Sequence, residues 1–182
     1  MTKNYTHTWH YKLAHADNSF SLYFNDRLIA ILLKPSSGRW PIHATINEKM
    51  YSFSAKGLLP HTIKIADAIT GEAIGVIKMP LLPSLLATTK FVFSNGEEFT
   101  WYSNNFFSLH WKWKKGNESI VDAIDNLAAK KNNGIIAIND YKAGTDLLII
   151  AGFFLSLLKR SKLSMGIKGL KRRRIGFSKQ QA

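Results

Sequence analysis

A chain of 182 residues without a single cysteine has no disulfide, thiolate metal site or cysteine nucleophile to draw on, so its stability must come from a packed interior. The material for one is present: 46% of the residues are hydrophobic and 12% aromatic, which excludes disorder for most of the chain and suits a single domain. The formal charge of +13 is unevenly spread, since all 12 acidic residues lie at or before Asp146 and nine of the 25 Lys and Arg follow it.

From the N-terminus to about residue 140 the hydrophobic pattern has period two, broken by turn residues every eight to twelve positions. The opening MTKNYTHTWHYKL lacks the apolar run of a secretory signal, so a cytoplasmic location is expected. His7 and His10, read on a strand, point to opposite faces and suit no common metal site. Phe20, Leu22 and Phe24 alternate up to Asn25-Asp26, and Leu28 to Leu33 return before Pro35 and Ser36-Ser37-Gly38. Ile42, Ala44 and Ile46 run into Asn47-Glu48-Lys49, with Tyr51 and Phe53 as the partner strand. Ile63 and Ile65 lead through Asp67 to Gly71 and back along Ile74, Val76 and a solvated Lys78, until Pro80 and Pro83 interrupt pairing.

Phe91-Val92-Phe93-Ser94-Asn95-Gly96-Glu97-Glu98-Phe99-Thr100-Trp101 predicts a hairpin, with Asn95-Gly96 as a type I′ turn. Glu97 and Glu98, adjacent at its tip, are expected to be solvated carboxylates with ordinary pKa values, offering no general acid. In His110-Trp111-Lys112-Trp113-Lys114 the Trp and Lys faces should point opposite ways before the turn at Lys115-Gly116-Asn117 and the return along Ile120 to Ile124. Residues 122–131 are compatible with a short helical turn, and Gly134 to Ile138 read as one more strand. The aromatic residues of 91–101 and 106–113 are expected to fill the interior.

The count reaches about twelve strands, followed by one uninterrupted apolar block, Leu147 to Leu158. Its twelve residues span roughly 18 Å as a helix, short of the ~30 Å needed to cross a bilayer comfortably. It is hydrophobic on every side, so protein or lipid must enclose it. Thr145 or Asp146 is expected as N-cap, and Lys159 and Arg160 suit the C-terminal end of the dipole. Many short antiparallel strands close into a barrel to remove their edges, and about twelve enclose a lumen too wide for side chains to fill. The fold expected is therefore mainly β: a closed antiparallel barrel of about twelve strands around a central hydrophobic C-terminal helix, at about 145–160. Leu147, Leu148, Ile149, Ile150, Phe153, Phe154 and Leu157 would form its plug. Residues 1–162 make the domain, and 163–182 a basic, flexible tail.

The hairpin from Ile65-Ala66-Asp67 to Thr70-Gly71-Glu72-Ala73-Ile74-Gly75, the Asn95-Gly96 hairpin ending in Phe99-Thr100-Trp101, Trp111-x-Trp113, and Gly134-Ile135-Ile136 leading to Asp146-Leu147-Leu148-Ile149-Ile150-Ala151-Gly152-Phe153-Phe154 resemble the tubby C-terminal-like superfamily. The resemblance, over most of residues 5 to 160, covers tubby proteins, phospholipid scramblases and LURP-one-related proteins, and implies a barrel wrapped around a hydrophobic helix. It does not extend to lipid flipping: the chain has no cysteine cluster for palmitoylation and no acidic calcium loop, and phosphoinositide-binding residues of the tubby kind do not map onto it position by position.

Candidate function lies with the charge. Lys159, Arg160, Lys162, Lys168, Lys171, Arg172, Arg173 and Arg174 suit an anionic phospholipid surface, where each clustered cation gains on the order of 1 kcal/mol. Two other readings stand beside this one. Leu147 to Leu158 would serve as a membrane anchor with Lys159, Arg160 and Lys162 snorkelling, or the tail would neutralise nucleic-acid phosphates. No nucleophile elbow, phosphate-binding glycine loop or zinc motif is present, so the expectation is a non-enzymatic monomer, cytoplasmic and peripheral at the membrane, with no cofactor and no metal.

Overall fold

The computed structural model describes residues 7–16, 19–33, 41–55, 61–80, 88–103, 110–125, 133–139 and 141–158. The expectations for Ser36-Ser37-Gly38, Pro83, Phe106, the helical turn beyond Asp125 and the whole of 159–182 lie outside them. Within them, twelve strands form a closed antiparallel barrel in which each strand pairs with its neighbours in sequence and β1 closes onto β12. They are β1 (His7–Ala16), β2 (Ser19–Phe24), β3 (Arg27–Leu33), β4 (Ile42–Ile46), β5 (Lys49–Ala55) and β6 (Thr62–Asp67), followed by β7 (Ala73–Lys78), β8 (Thr89–Phe93), β9 (Glu98–Ser103), β10 (Trp111–Lys115), β11 (Glu118–Asp125) and β12 (Asn133–Ile138). The helix α1 occupies residues 145–158.

Alternation dictates what faces inward. Phe20, Leu22 and Phe24 of β2, Ile63 and Ile65 of β6, Trp111 and Trp113 of β10, and Ile136 and Ile138 of β12 are all buried, and the intervening residues look outward. The same alternation gives a lumen lined by aromatic rings and branched side chains, with α1 filling it. Leu147, Leu148, Ile149, Ile150, Phe153 and Phe154 are at most 4% exposed, while Leu157, in the last turn, is half-buried. At roughly 2 kcal/mol for each large apolar side chain removed from water, this helix is a leading source of the fold's stability. Phe153 meets Tyr11 and Trp111 edge-on, and Phe154 stacks on Phe53 at 4.8 Å. Trp113 donates its Nε1–H to the Leu148 carbonyl at 2.7 Å, joining the helix to the wall. Gly152 is what lets α1 approach: a Cβ there would lie 2.4 Å from the Trp111 ring.

The turns depart from expectation in one place. Asn25-Asp26 and Asn47-Glu48 both carry two positive φ angles, as type I′ turns require. At Asn95-Gly96 only Gly96 is positive, at 88°, and Gly96 donates to the Phe93 carbonyl while Phe93 donates to that of Glu97. This hairpin therefore has a three-residue loop, a type I turn closed by a glycine in the left-handed region, in place of the expected I′ turn. The helix start also differs. Leu148 donates to the Gly144 carbonyl, so Gly144 occupies the capping position, with Thr145 and Asp146 already in the first turn. The Thr145 hydroxyl instead accepts the Lys142 N–H at 3.0 Å.

Tight turns after β2, β4, β6, β8 and β10, together with the β12 to α1 connection, gather at one end of the barrel. Here α1 enters with its N-terminus, and from here it runs down the lumen past Trp113 and then Trp111.

Candidate anion-binding wall

The eight cations expected to meet lipid, Lys159, Arg160, Lys162, Lys168, Lys171, Arg172, Arg173 and Arg174, lie outside the described residues. The plug residues fill the lumen, all of them buried except the half-buried Leu157. No helix among the described residues is long and apolar enough to cross a membrane. The strand register organises the outer surface.

Antiparallel partners share a face, so outward residues of neighbouring strands line up in rows about 4.8 Å apart from strand to strand. One row crosses β6 to β10 as Thr62, Lys78, Lys90, Thr100 and Lys114. The next reads Lys64, Val76, Val92 and Glu98. On the other side Tyr102 of β9 lies opposite Lys112 of β10, which in turn faces Asp122 of β11. Among the described residues five lysines thus stand on one wall, with Glu98 in the second row and Asp122 opposite Lys112 as the carboxylates beside them.

The contacts show how the wall tolerates this charge. Lys78 and Lys90 are directly opposed, an arrangement that destabilises a sheet by a few tenths to about 1 kcal/mol. Lys90 reaches Glu98 at 2.6 Å, compensating one of the two. The Lys114 ammonium sits 5.2 Å from the centroid of the Tyr102 ring, a cation–π contact that leaves the charge in place. Among the described residues Lys64, Lys78 and Lys112 form no ion pair. Asp122, 6% exposed, lies opposite Lys112 in register and 3.5 Å from His110, and so offsets part of the charge at that edge of the wall. Tyr102 itself is 37% exposed, whereas its neighbour Trp101 is buried in the lumen.

The turn end is mixed in sign with carboxylates in excess. Asp26, Glu48, Asp67, Glu72, Glu97 and Glu118 occur in or beside its turns, together with Arg27, Lys49, Lys115 and Lys142. Asp67 accepts the Ile69 and Thr70 N–H groups, both at 2.8 Å, and the Thr70 bond is the main reason its pKa falls below the usual carboxylate value. Glu97 does not keep the ordinary pKa expected of it. The hydrogen bond from Lys115, at 2.6 Å, and then that from Asn95 hold it low, so the two neighbouring glutamates are not equivalent solvated groups. Asp146 ties the helix start to the rim by accepting from Asn47 Nδ2 at 2.8 Å and from the Tyr141 hydroxyl. Burial first, and then this bond, drive the Tyr141 pKa well above the tyrosine norm. A shallow cleft opens beside the helix start, floored by Phe93, Phe99 and Leu148 with Lys115 and Lys142 at its edge.

His7 and His10 fall on alternate faces of β1, with His7 packed edge-on against Tyr141. Among the described residues no three of His, Asp and Glu come together as metal ligands. Sequence alternation already implies that Lys78, Lys112 and Lys114 face outward. It does not show that Lys64, Lys90 and Tyr102 join them, because that depends on which residues pair across five strands. Comparison with protein-family models, with curated proteins and with solved structures finds no match for this chain.

Proposed function

We propose that this protein is a non-enzymatic, monomeric binding module for anionic membrane surfaces: a tubby-like barrel, cytoplasmic and peripheral at the bilayer, that uses its basic wall together with its basic tail. The observation that carries this reading is the row Lys78, Lys90 and Lys114, in which two lysines are paired directly across β7 and β8 and one glutamate, Glu98 of β9, offsets the second of them. A fold that accepts this repulsion gains it back when anions approach. At about 1 kcal/mol for each uncompensated cation near an anionic leaflet, Lys64, Lys78 and Lys114 supply about 3 kcal/mol, weaker than millimolar association. The tail's cations, from Lys159 to Arg174, bring the total into a useful range. The apolar helix supports the reading from the other side, since strands cover it and leave electrostatics as the means of attachment.

The test is co-sedimentation of the full chain with phosphatidylcholine vesicles, with and without phosphatidylserine. Binding should require phosphatidylserine and should collapse between 0.1 and 1 M salt, as the screening length falls from about 10 to about 3 Å. Absence of binding to phosphatidylserine vesicles at low salt refutes the proposal. Tight, salt-sensitive binding to duplex DNA without preference for anionic lipid replaces it with nucleic-acid recognition.

A further inference from the structure

The two charge poles of the barrel define an orientation. The hairpin end carries Asp26, Glu48, Asp67, Glu72, Glu97, Glu118 and Asp146 against Arg27, Lys49, Lys115 and Lys142, whereas on the side Lys64, Lys78, Lys90, Lys112 and Lys114 lie over five consecutive strands against Glu98 and Asp122. An anionic plane attracts the side and repels the end. Tyr102 lies within the attractive face, opposite Lys112 in register and 5.2 Å from the Lys114 ammonium. Val76 and Val92 lie opposite each other on the same surface, half-buried.

We infer that the barrel meets an anionic bilayer side-on, through the outer wall of β7 to β10, with the Tyr102 ring entering the interface between Lys112 and Lys114 and the acidic hairpin end held in water. The inference rests on the membrane-binding reading and adds the contact face and the residue seated in it. A phenol at a lipid interface buries its ring while the hydroxyl stays hydrated, and lysines beside it bury their stems while their ammonium groups reach the phosphates. The shape of the wall favours a plane over a nucleic acid. Single strands are held in basic grooves with ring faces open for stacking, whereas this surface is the convex outside of a closed barrel and the Tyr102 ring already has an ammonium over it.

The absence of cysteine makes the test clean. Tyr102→Cys and Ile69→Cys, each in the full chain and each labelled with an environment-sensitive fluorophore, report on the wall and on the hairpin end; Ile69 is 80% exposed at the tip of the β6 to β7 turn. With phosphatidylserine-containing vesicles the label at 102 should shift to the blue and be quenched by nitroxide lipids, and the label at 69 should do neither. Lys64→Gln with Lys78→Gln, which removes two wall cations and relieves the Lys78–Lys90 opposition, should weaken vesicle partitioning at least tenfold without lowering the melting temperature. If the protein co-sediments while the label at 102 stays in water, or the label at 69 is the one quenched, side-on seating is wrong and membrane binding survives. If the unlabelled chain does not co-sediment, both fail together.

Discussion

Gly152→Ala sets two well-characterised effects against each other. In a helix interior alanine is better than glycine by about 1 kcal/mol, so propensity alone predicts a more stable protein. The packing predicts the reverse. The added Cβ would lie 2.4 Å from two carbons of the Trp111 ring and 2.7 Å from a third, where ordinary contact begins at 3.4 Å. Relief needs a movement of about 1 Å by a rigid indole that is 1% exposed and already packed edge-on against Phe153 at 5.3 Å. Overpacking of this kind costs about 1 to 3 kcal/mol, and a movement this large places it at the upper end. The net expectation is a loss of about 2 kcal/mol, a fall of about 1 M in the urea midpoint for a slope of about 2 kcal/mol/M. Trp111→Phe in the Gly152→Ala background should recover part of the loss, since the smaller ring leaves room and removes an indole N–H that has no hydrogen-bond partner among the described residues. A midpoint that rises in Gly152→Ala, or a double variant whose effects simply add, would refute the close approach of helix and wall.

Other outcomes follow from the same geometry. Ile150→Lys places a charge in the closed lumen and should abolish the cooperative β signal in circular dichroism; a native, cooperatively melting spectrum would contradict the plug. Asp146→Ala removes the acceptor of Asn47 and Tyr141 and a carboxylate at the helix N-terminus, and should cost about 1 to 2 kcal/mol in chemical denaturation, with α1 fraying first in hydrogen exchange. The raised pKa of Tyr141 means that its folded state favours the protonated phenol. That contribution is complete below pH 10 and is lost as pH rises beyond it, so wild type should lose more stability between pH 10 and 12 than Tyr141→Phe does, measured by thermal melts across that range.

What could be read from the chain was whatever its local pattern determines. Phe20, Leu22 and Phe24, or Trp111 and Trp113, announce their inward face by alternation alone, and the all-round apolar run from Leu147 announces that something must enclose it. Asn95-Gly96 was legible as a hairpin but not as a turn type, because the same dipeptide fits a two-residue and a three-residue loop and strand register decides between them. The cap was misplaced for a related reason: Thr145 and Asp146 are good capping residues, yet the contacts to Lys142, Asn47 and Tyr141 draw them into the first turn. The wall was the least legible feature. Lys64, Lys90 and Lys114 come from three separate segments, and only the pairing of β6 through β10, with a bulge at Ile65/Ala66, sets their alignment. The depressed Glu97 pKa likewise depends on Lys115, which pairing of β8 to β10 brings to the hairpin tip.

The order of the elements has a consequence for how the protein comes into being. Every strand but β1 and β12 finds both partners nearby in sequence; β1 must wait for β12, where His7 comes to lie opposite Ile138 roughly 130 residues later, a closure that is slow because its entropy is lost before any contact repays it. The lumen waits longer still, for α1 follows β12. A nascent chain therefore passes through a stage in which an open sheet displays two unpaired edges and a concave face of Phe, Trp and Ile with nothing to cover it. Synthesis of the last turn of α1 ends that exposure. Cells making this protein must shelter an incomplete shell until residue 158 has been made, and a message truncated before it yields a substrate for chaperones and proteases rather than a smaller barrel.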